Sequence, residues 1–362
     1  MRKISKIIAP LLLILLVLAG CQAVPKEEAK ENFRKDFFEY FDTVTRIIGY
    51  ADSEEEFNTE FDVIKAEFKR YHELFDIYHT YEGINNIKTI NDNAGIKPVE
   101  VDQEIIDLIL FSKEWYEKTN GKANIAMGAV LRVWSDYREE GMDFPDEAKL
   151  PPMELLEEKN EHTDIEKIIV DDEKNTVFLE DAEMSLDVGA VAKGYATERV
   201  ADLMKERGFT SIIISAGGNV KALDKPLDGV RERWGIGIQN PDESIFTDMD
   251  SLDTVFNTNI SVVTSGDYQR YYYVDEVKYH HLIDADTLMP GAYFKAVTVV
   301  MEDSGLADFM STTLFLSSLE EGKEMLSQIE GAHALWVTYD NEIILTEGFE
   351  EMLKSGGASG AD

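Results

Sequence analysis

Four groups of residues have side chains and spacing suited to chemistry. Asp187 and Lys193 stand among Gly189 and Gly194, between a short apolar run and a helical pattern. An acid, a lysine and free N–H groups at a helix start suit phosphate oxygens. The order Lys193-Gly194, with no Ser or Thr after the lysine, excludes a P-loop. Asp308 and Thr312 lie four apart in a second helical pattern, so their oxygens share one face. A carboxylate plus a hydroxyl begins a hard-cation site that needs a further oxygen from elsewhere. His280 and His281 are adjacent, so on a strand at most one of them points into a given site. Asp267 closes the small-residue run Thr264-Ser265-Gly266-Asp267, which leads into aromatic residues.

These groups need elements to position them. Ala196, Val200, Leu203 and Met204 recur at helical spacing, which predicts a helix from about Ala196 to Arg207 with Gly208 just past its end. On that reading Asp187 and Lys193 both precede the helix. Ser211 to Ser215 reads as a buried strand, and Ala216-Gly217-Gly218-Asn219 as a tight turn. Arg233 to Pro241 reads as a strand; its Gly-x-Gly lacks the third glycine and the helix of a dinucleotide fingerprint. Ser261 onward is a strand, and Leu306 opens a helix that runs through Leu316. Nearer the N-terminus, Thr43 to Tyr50 reads as a strand, with helices at Glu54 to Asp76 and Val101 to Thr119. The Pro- and Glu-rich stretch from Glu147 to Asp164 reads as a surface excursion.

Composition narrows the classes further. The 362 residues include 71 acidic and 35 basic side chains, a formal net charge of −36. A surface this acidic repels a phosphate backbone and argues against nucleic acid as partner. Residues 1–20 combine a basic start with twelve apolar residues from Ile7 to Leu18, short of the roughly twenty that span a bilayer. That is the pattern of a signal peptide, and Leu18-Ala19-Gly20-Cys21 ends it as a lipobox does. We therefore expect an exported chain, anchored to the outer face of the cell membrane through a lipid on Cys21. Cys21 is the only cysteine, so no internal disulfide forms. Residues 21–32 read as a tether, 33–350 as the working domain and 351–362, small and Gly/Ser-rich, as a flexible tail.

In order along the chain stand Leu186-Asp-Val-Gly-Ala-Val-Ala-Lys-Gly-Tyr195, Ala216-Gly-Gly-Asn219, Trp234-Gly-Ile-Gly-Ile-Gln-Asn-Pro241, Thr264-Ser-Gly-Asp-Tyr268, His281-Leu-Ile-Asp284 and Ala307-Asp-Phe-Met-Ser-Thr312. This series resembles the ApbE family of flavin transferases (FAD:protein FMN transferases), and the likeness runs from about Phe41 to Thr313. It implies an α+β fold, with a mixed or antiparallel sheet core, packed helices, and two lobes around one cleft.

The resemblance also implies a reaction. A threonine or serine hydroxyl of an exported acceptor flavoprotein attacks the FAD diphosphate with help from Mg²⁺. FMN stays on the acceptor and AMP departs. Asp308 and Thr312 match the metal-ligand positions, with the main-chain carbonyl of Ala190 as third oxygen. Asp187 and Lys193 match nucleotide-contacting positions; Ser265 and Gly266 belong to the same binding set. Phe41, Tyr78, Ala123, Asn124 and Ile125 would line the cofactor pocket, although Asn124 stands where many relatives carry Asp. His281 is the expected general base, since histidine titrates near working pH, with Asp267 as an alternative base or pocket acid. The same pocket would also serve a hydrolase splitting FAD into FMN and AMP, or a non-catalytic flavin-binding lipoprotein.

Overall fold

The computed structural model describes residues 29–242 and 251–361. The signal segment 1–20, Cys21 and most of the 21–32 tether lie outside the described residues. In chain order the elements begin with strands β1 (Glu31–Phe37) and β2 (Thr45–Ala51), then helices α1 (Glu54–Phe75) and α2 (Ile87–Asp92). Next come β3 (Val99–Glu100), α3 (Gln103–Lys118), α4 (Gly128–Asp143), α5 (Met153–Asn160), β4 (Ile168–Asp171) and β5 (Thr176–Leu179). The second half runs α6 (Ala192–Arg207), β6 (Ile212–Ala216), β7 (Asn219–Leu223), β8 (Trp234–Gln239), β9 (Ser251–Asn257), β10 (Ile260–Gly266), β11 (Tyr271–Val274) and β12 (Val277–His280). It closes with β13 (Ala296–Met301), α7 (Ser304–Phe315), α8 (Leu319–Leu326), β14 (His333–Val337) and β15 (Ile343–Leu345).

Eight strands form one sheet in the order β1-β2-β6-β7-β10-β13-β14-β15, antiparallel at every pair. The α+β expectation holds. Its central strands are buried on both faces, which is why Ile212-Ile213-Ile214 reads as an unbroken apolar run. Ile212 and Ile214 join the core under α1, α3, α6 and α7. Ile213 faces a second core against β8, β9 and Phe349. A third cluster, with Met127, Val130, Trp134, Leu156, Tyr272 and Leu288, joins α4 and α5 to the β11–β12 hairpin.

Three expectations are corrected. First, helix α6 starts at Ala192, so Lys193 lies inside its first turn and only Asp187 precedes it; Gly208, at φ 77°, ends it as expected. Second, the stretch 147–164 contains α5, whose Leu156 is fully buried; its neighbours Pro151 and Pro152 end before the helix begins, where proline does no harm. Third, the 351–362 segment is seated rather than free over residues 351–361. Leu353 is 1% exposed and pairs with Val255, and the Gly360 carbonyl accepts from Glu232 and Arg233.

Candidate active site

The site is built where α6 meets α7. Gly194, in the first turn of α6, permits the contact: a Cβ there would lie 2.3 Å from the Ser304 carbonyl oxygen and 2.4 Å from Asp308 Cβ. At that distance the Gly194 N–H donates to Asp308 Oδ2 at 2.8 Å, and Asn219 Nδ2 donates to the same oxygen at 3.3 Å. Both donors are neutral. Asp308 is buried (5% exposed), and burial pushes its carboxyl above the usual range, with Lys193 opposing. A buried carboxylate with neutral partners carries an unmet charge, the condition a divalent cation relieves.

Hydroxyls surround it. Thr312 follows one turn along α7, and Ser265 on β10 reaches Ser311 Oγ at 2.8 Å and Thr312 Oγ1 at 3.4 Å. The Ala190 carbonyl sits just outside α6, and the Gly194 N–H that would extend the helix toward it goes to Asp308 instead. This donor set of one carboxylate, hydroxyls and a carbonyl suits a hard cation such as Mg²⁺. Among the described residues no three His, Cys, Asp or Glu side chains form a metal cluster.

Asp187 precedes α6 on the loop that leads into it. Its N–H donates to the Ile125 carbonyl at 2.9 Å, and its Oδ1 accepts from Gly189 at 2.9 Å. Desolvation pushes its carboxyl up, opposed by Arg270, Lys193 and Arg138. Tyr78, 48% exposed, is a near neighbour of Asp187. Its loop is pinned by Asp76, whose carboxylate accepts from the Tyr78 N–H at 2.6 Å and the Tyr81 hydroxyl at 2.7 Å. Phe41 packs edge-on against His72 and Phe68 with φ at 56°, a conformation that costs free energy in a phenylalanine and so marks a constrained place.

His281 follows the last residue of β12. Its Nδ1 is buried with no hydrogen-bond partner, and burial followed by the charges of Arg270, His280, Arg138 and Lys193 drives its pKa down to about 3. The ring is therefore neutral, with an open nitrogen. His280 points the other way, Nε2 on the Gly291 carbonyl at 2.8 Å.

Five expected site residues are used differently. Asp267 is 1% exposed and paired with Lys278 at 2.7 Å. Asn124 spends both ends of its amide on the backbone: Nδ2 donates to Thr163 at 2.9 Å and Oδ1 accepts from Ala126 at 2.8 Å. Ala123 and Ile125 are buried in the main core, and Ile125 reaches the site only through its carbonyl. Gly266 is buried where β10 ends. Two residues the sequence reading passed over do face the site, Arg138 on α4 and Arg270 before β11. Charge is the only signal either gives in the sequence, Arg138 among the charged residues Asp136 to Glu140 and Arg270 ahead of a tyrosine run.

The architecture is an α+β fold with an oxygen-lined centre where α6 meets α7. A model described as the ApbE family matches residues 41–336. The FAD:protein FMN transferase of Klebsiella pneumoniae (strain 342) is 32% identical over 280 residues, 77% of this chain and 82% of that protein. The FAD:protein FMN transferase of Treponema pallidum (strain Nichols) is 29% identical over 280 residues, 74% and 75% of the two chains. The crystal structure of the ApbE protein from Thermotoga maritima matches with a TM-score of 0.76 at 27% identity, covering 89% of this chain and 99% of that one. The chain belongs to the ApbE family.

Proposed function

We propose that this protein transfers FMN from FAD to a threonine or serine hydroxyl of an exported acceptor protein, with Mg²⁺, and releases AMP. The observation that carries the reading is Asp308, a buried carboxylate without a cationic hydrogen-bond partner, set beside Lys193 in a chain of this family. Asp308, Thr312 and the Ala190 carbonyl would hold the ion, which supplies Lewis-acid charge on the phosphoryl oxygens. Lys193 and the α6 N-terminus bind the diphosphate. The acceptor oxygen bonds to the FMN phosphorus as the bond to AMP breaks, and the open Nδ1 of His281 accepts the hydroxyl proton once the bound diphosphate offsets the arginine and lysine charges that, with burial, hold its basicity far below that of an ordinary histidine. Positioning and charge neutralisation then carry most of the rate. Export and a lipid on Cys21 complete the reading, because the acceptor must share the enzyme's compartment.

The test follows intact mass. The protein without residues 1–20 is incubated with FAD, Mg²⁺ and a threonine-containing peptide from an exported flavoprotein. A gain of one FMN on the peptide with matching AMP, abolished by EDTA and by Asp308→Ala, is expected. AMP without any mass gain on several such peptides would favour the hydrolase instead. Tyr78 is half exposed beside Asp187 and would shield the reacting phosphate from water, so Tyr78→Ala should raise the share of FAD lost to water.

A further inference from the structure

We propose that Arg138 and Arg270 form a two-arginine clamp for the diphosphate of the bound dinucleotide, on the side of the site made by α4 and the β11–β12 hairpin. The inference rests on the flavin-transfer reading above. Arg138 lies on the face of α4 that meets the β11–β12 hairpin: Trp134, one turn earlier, stacks on Tyr279 at 6.4 Å. Gly141, three residues later, is packed so closely that a Cβ would lie 2.6 Å from the Tyr272 ring. Arg270 directly precedes β11, where Tyr271 pairs with His280. One step back along that register sets Arg270 across from His281.

Neither arginine is in a close ion pair, and Asp187 acts on both only through space. The side chain of Arg138 donates to Ser135 Oγ at 3.0 Å, and among the described residues neither Arg138 nor Arg270 has a carboxylate ion pair. Asp136 on the same helix is paired with Arg132 at 2.8 Å. In a chain with twice as many acids as bases, an arginine left without a carboxylate partner is the exception. Two of them side by side are more so. Arg138 is half-buried, and desolvation and then Arg270 hold its pKa below the ordinary value. Tyr78, Asp187 and His281 each feel both arginines, in keeping with the register that sets Arg270 across from His281. Guanidinium groups grip phosphate oxygens in a fixed fork. A ligand carrying two adjacent phosphates would relieve their mutual repulsion.

The test measures binding of FAD, FMN and riboflavin by flavin fluorescence, in EDTA so that no metal contributes. It compares the protein without residues 1–20 with Arg138→Gln, Arg270→Gln and Arg138→Lys. Each Gln variant should weaken FAD by about 10- to 100-fold, leave riboflavin unchanged and flatten the salt dependence of FAD binding; the Lys variant should fall between. Thermal melting without ligand separates a clamp from a structural arginine. Removing one of two repelling charges should hold or raise the melting temperature. A Gln variant that melts several degrees lower and loses riboflavin equally overturns the clamp. A parent protein that prefers FAD to riboflavin, with Gln variants that keep this preference, overturns the clamp alone. No preference for FAD in the parent, in EDTA and again with Mg²⁺, overturns the clamp, while the flavin-transfer reading stands or falls separately on FMN transfer to the peptide with Mg²⁺.

Discussion

Gly194→Ala should separate the two helices that make the site. The added Cβ would lie 2.3 Å from the Ser304 oxygen and 2.4 Å from Asp308 Cβ, against ordinary contacts of about 3.5–4 Å. Neither obstacle is the end of a flexible chain, so α6 and α7 must part by about 1 Å. Overpacking of this kind costs about 1–3 kcal/mol. The 2.8 Å bond from Gly194 N–H to the Asp308 carboxylate weakens as well, worth about 1.5–3 kcal/mol for a charged acceptor. Alanine returns about 1 kcal/mol through its better helix propensity. The net loss is about 2–5 kcal/mol, or about 4–10 °C of melting temperature at about 2 °C per kcal/mol. Calorimetry measures the fall, and AMP release across a Mg²⁺ titration measures the site. The metal requirement should move to higher concentration, because one oxygen of the ion's carboxylate has lost its fixing donor. An alanine variant that melts at or above the parent temperature with unchanged Mg²⁺ dependence would refute the contact and the role given to it.

Three further outcomes follow from buried groups elsewhere. Lys221 is fully buried with Nζ 3.0 Å from Glu198, so Lys221→Met strands that carboxylate and should cost about 3–5 kcal/mol in chemical denaturation; adding Glu198→Gln should recover much of it. His281 has a folded pKa of about 3 against an ordinary 6.5, so below pH 6.5 the unfolded chain binds the extra proton and stability falls as pH drops toward 3. His281→Gln should reduce that acid sensitivity in melting curves between pH 4 and 7, and an unchanged slope would contradict the neutral buried ring. Ending the chain after Glu350 removes Leu353, 1% exposed, and should cost at least about 1.5–3 kcal/mol, whereas a free tail would leave the melting temperature alone.

Periodic apolar patterns and near-neighbour spacing were legible in the sequence. Helix α6 ends at Gly208 as its pattern requires, the strand cores at β6, β8 and β10 stand where apolar runs are bounded by turn residues, and Asp308 shares a face with Thr312 because both lie four apart on one helix. Helix α4 was not legible. Its apolar stripe is thin, Val130 and Trp134 on a face completed by Gly128 and Gly141, and Asp136 to Glu140 hides it behind charge. Strand β1 was equally hidden, because Glu31, Arg34 and Lys35 are the charged residues that protect a sheet edge. Contacts far apart in sequence leave no local trace. Gly194 meets Asp308 across 114 positions, and only that contact explains why a glycine must follow Lys193. Asn124 shows the opposite case, a polar residue at a motif position whose amide the fold itself consumes.

The site's electrostatics follow from two imbalances that the fold keeps apart. Asp308 lacks a cation and belongs to the framework of the large sheet, through α6, α7 and Asn219. Arg138 and Arg270 lack an anion and belong to the smaller framework, α4 packed on the β11–β12 hairpin. A direct ion pair between them would satisfy both charges and close the space. Held apart, they favour a ligand whose own charges alternate: a divalent cation against the carboxylate, and phosphate oxygens between that cation and the arginines. Metal-bound diphosphate has that order of charges. Free diphosphate meets Asp308 unshielded, and the metal alone leaves the arginines repelling one another. On these two proposals each partner should strengthen the other's binding. The stability that the empty site forgoes then returns when metal and dinucleotide are bound together.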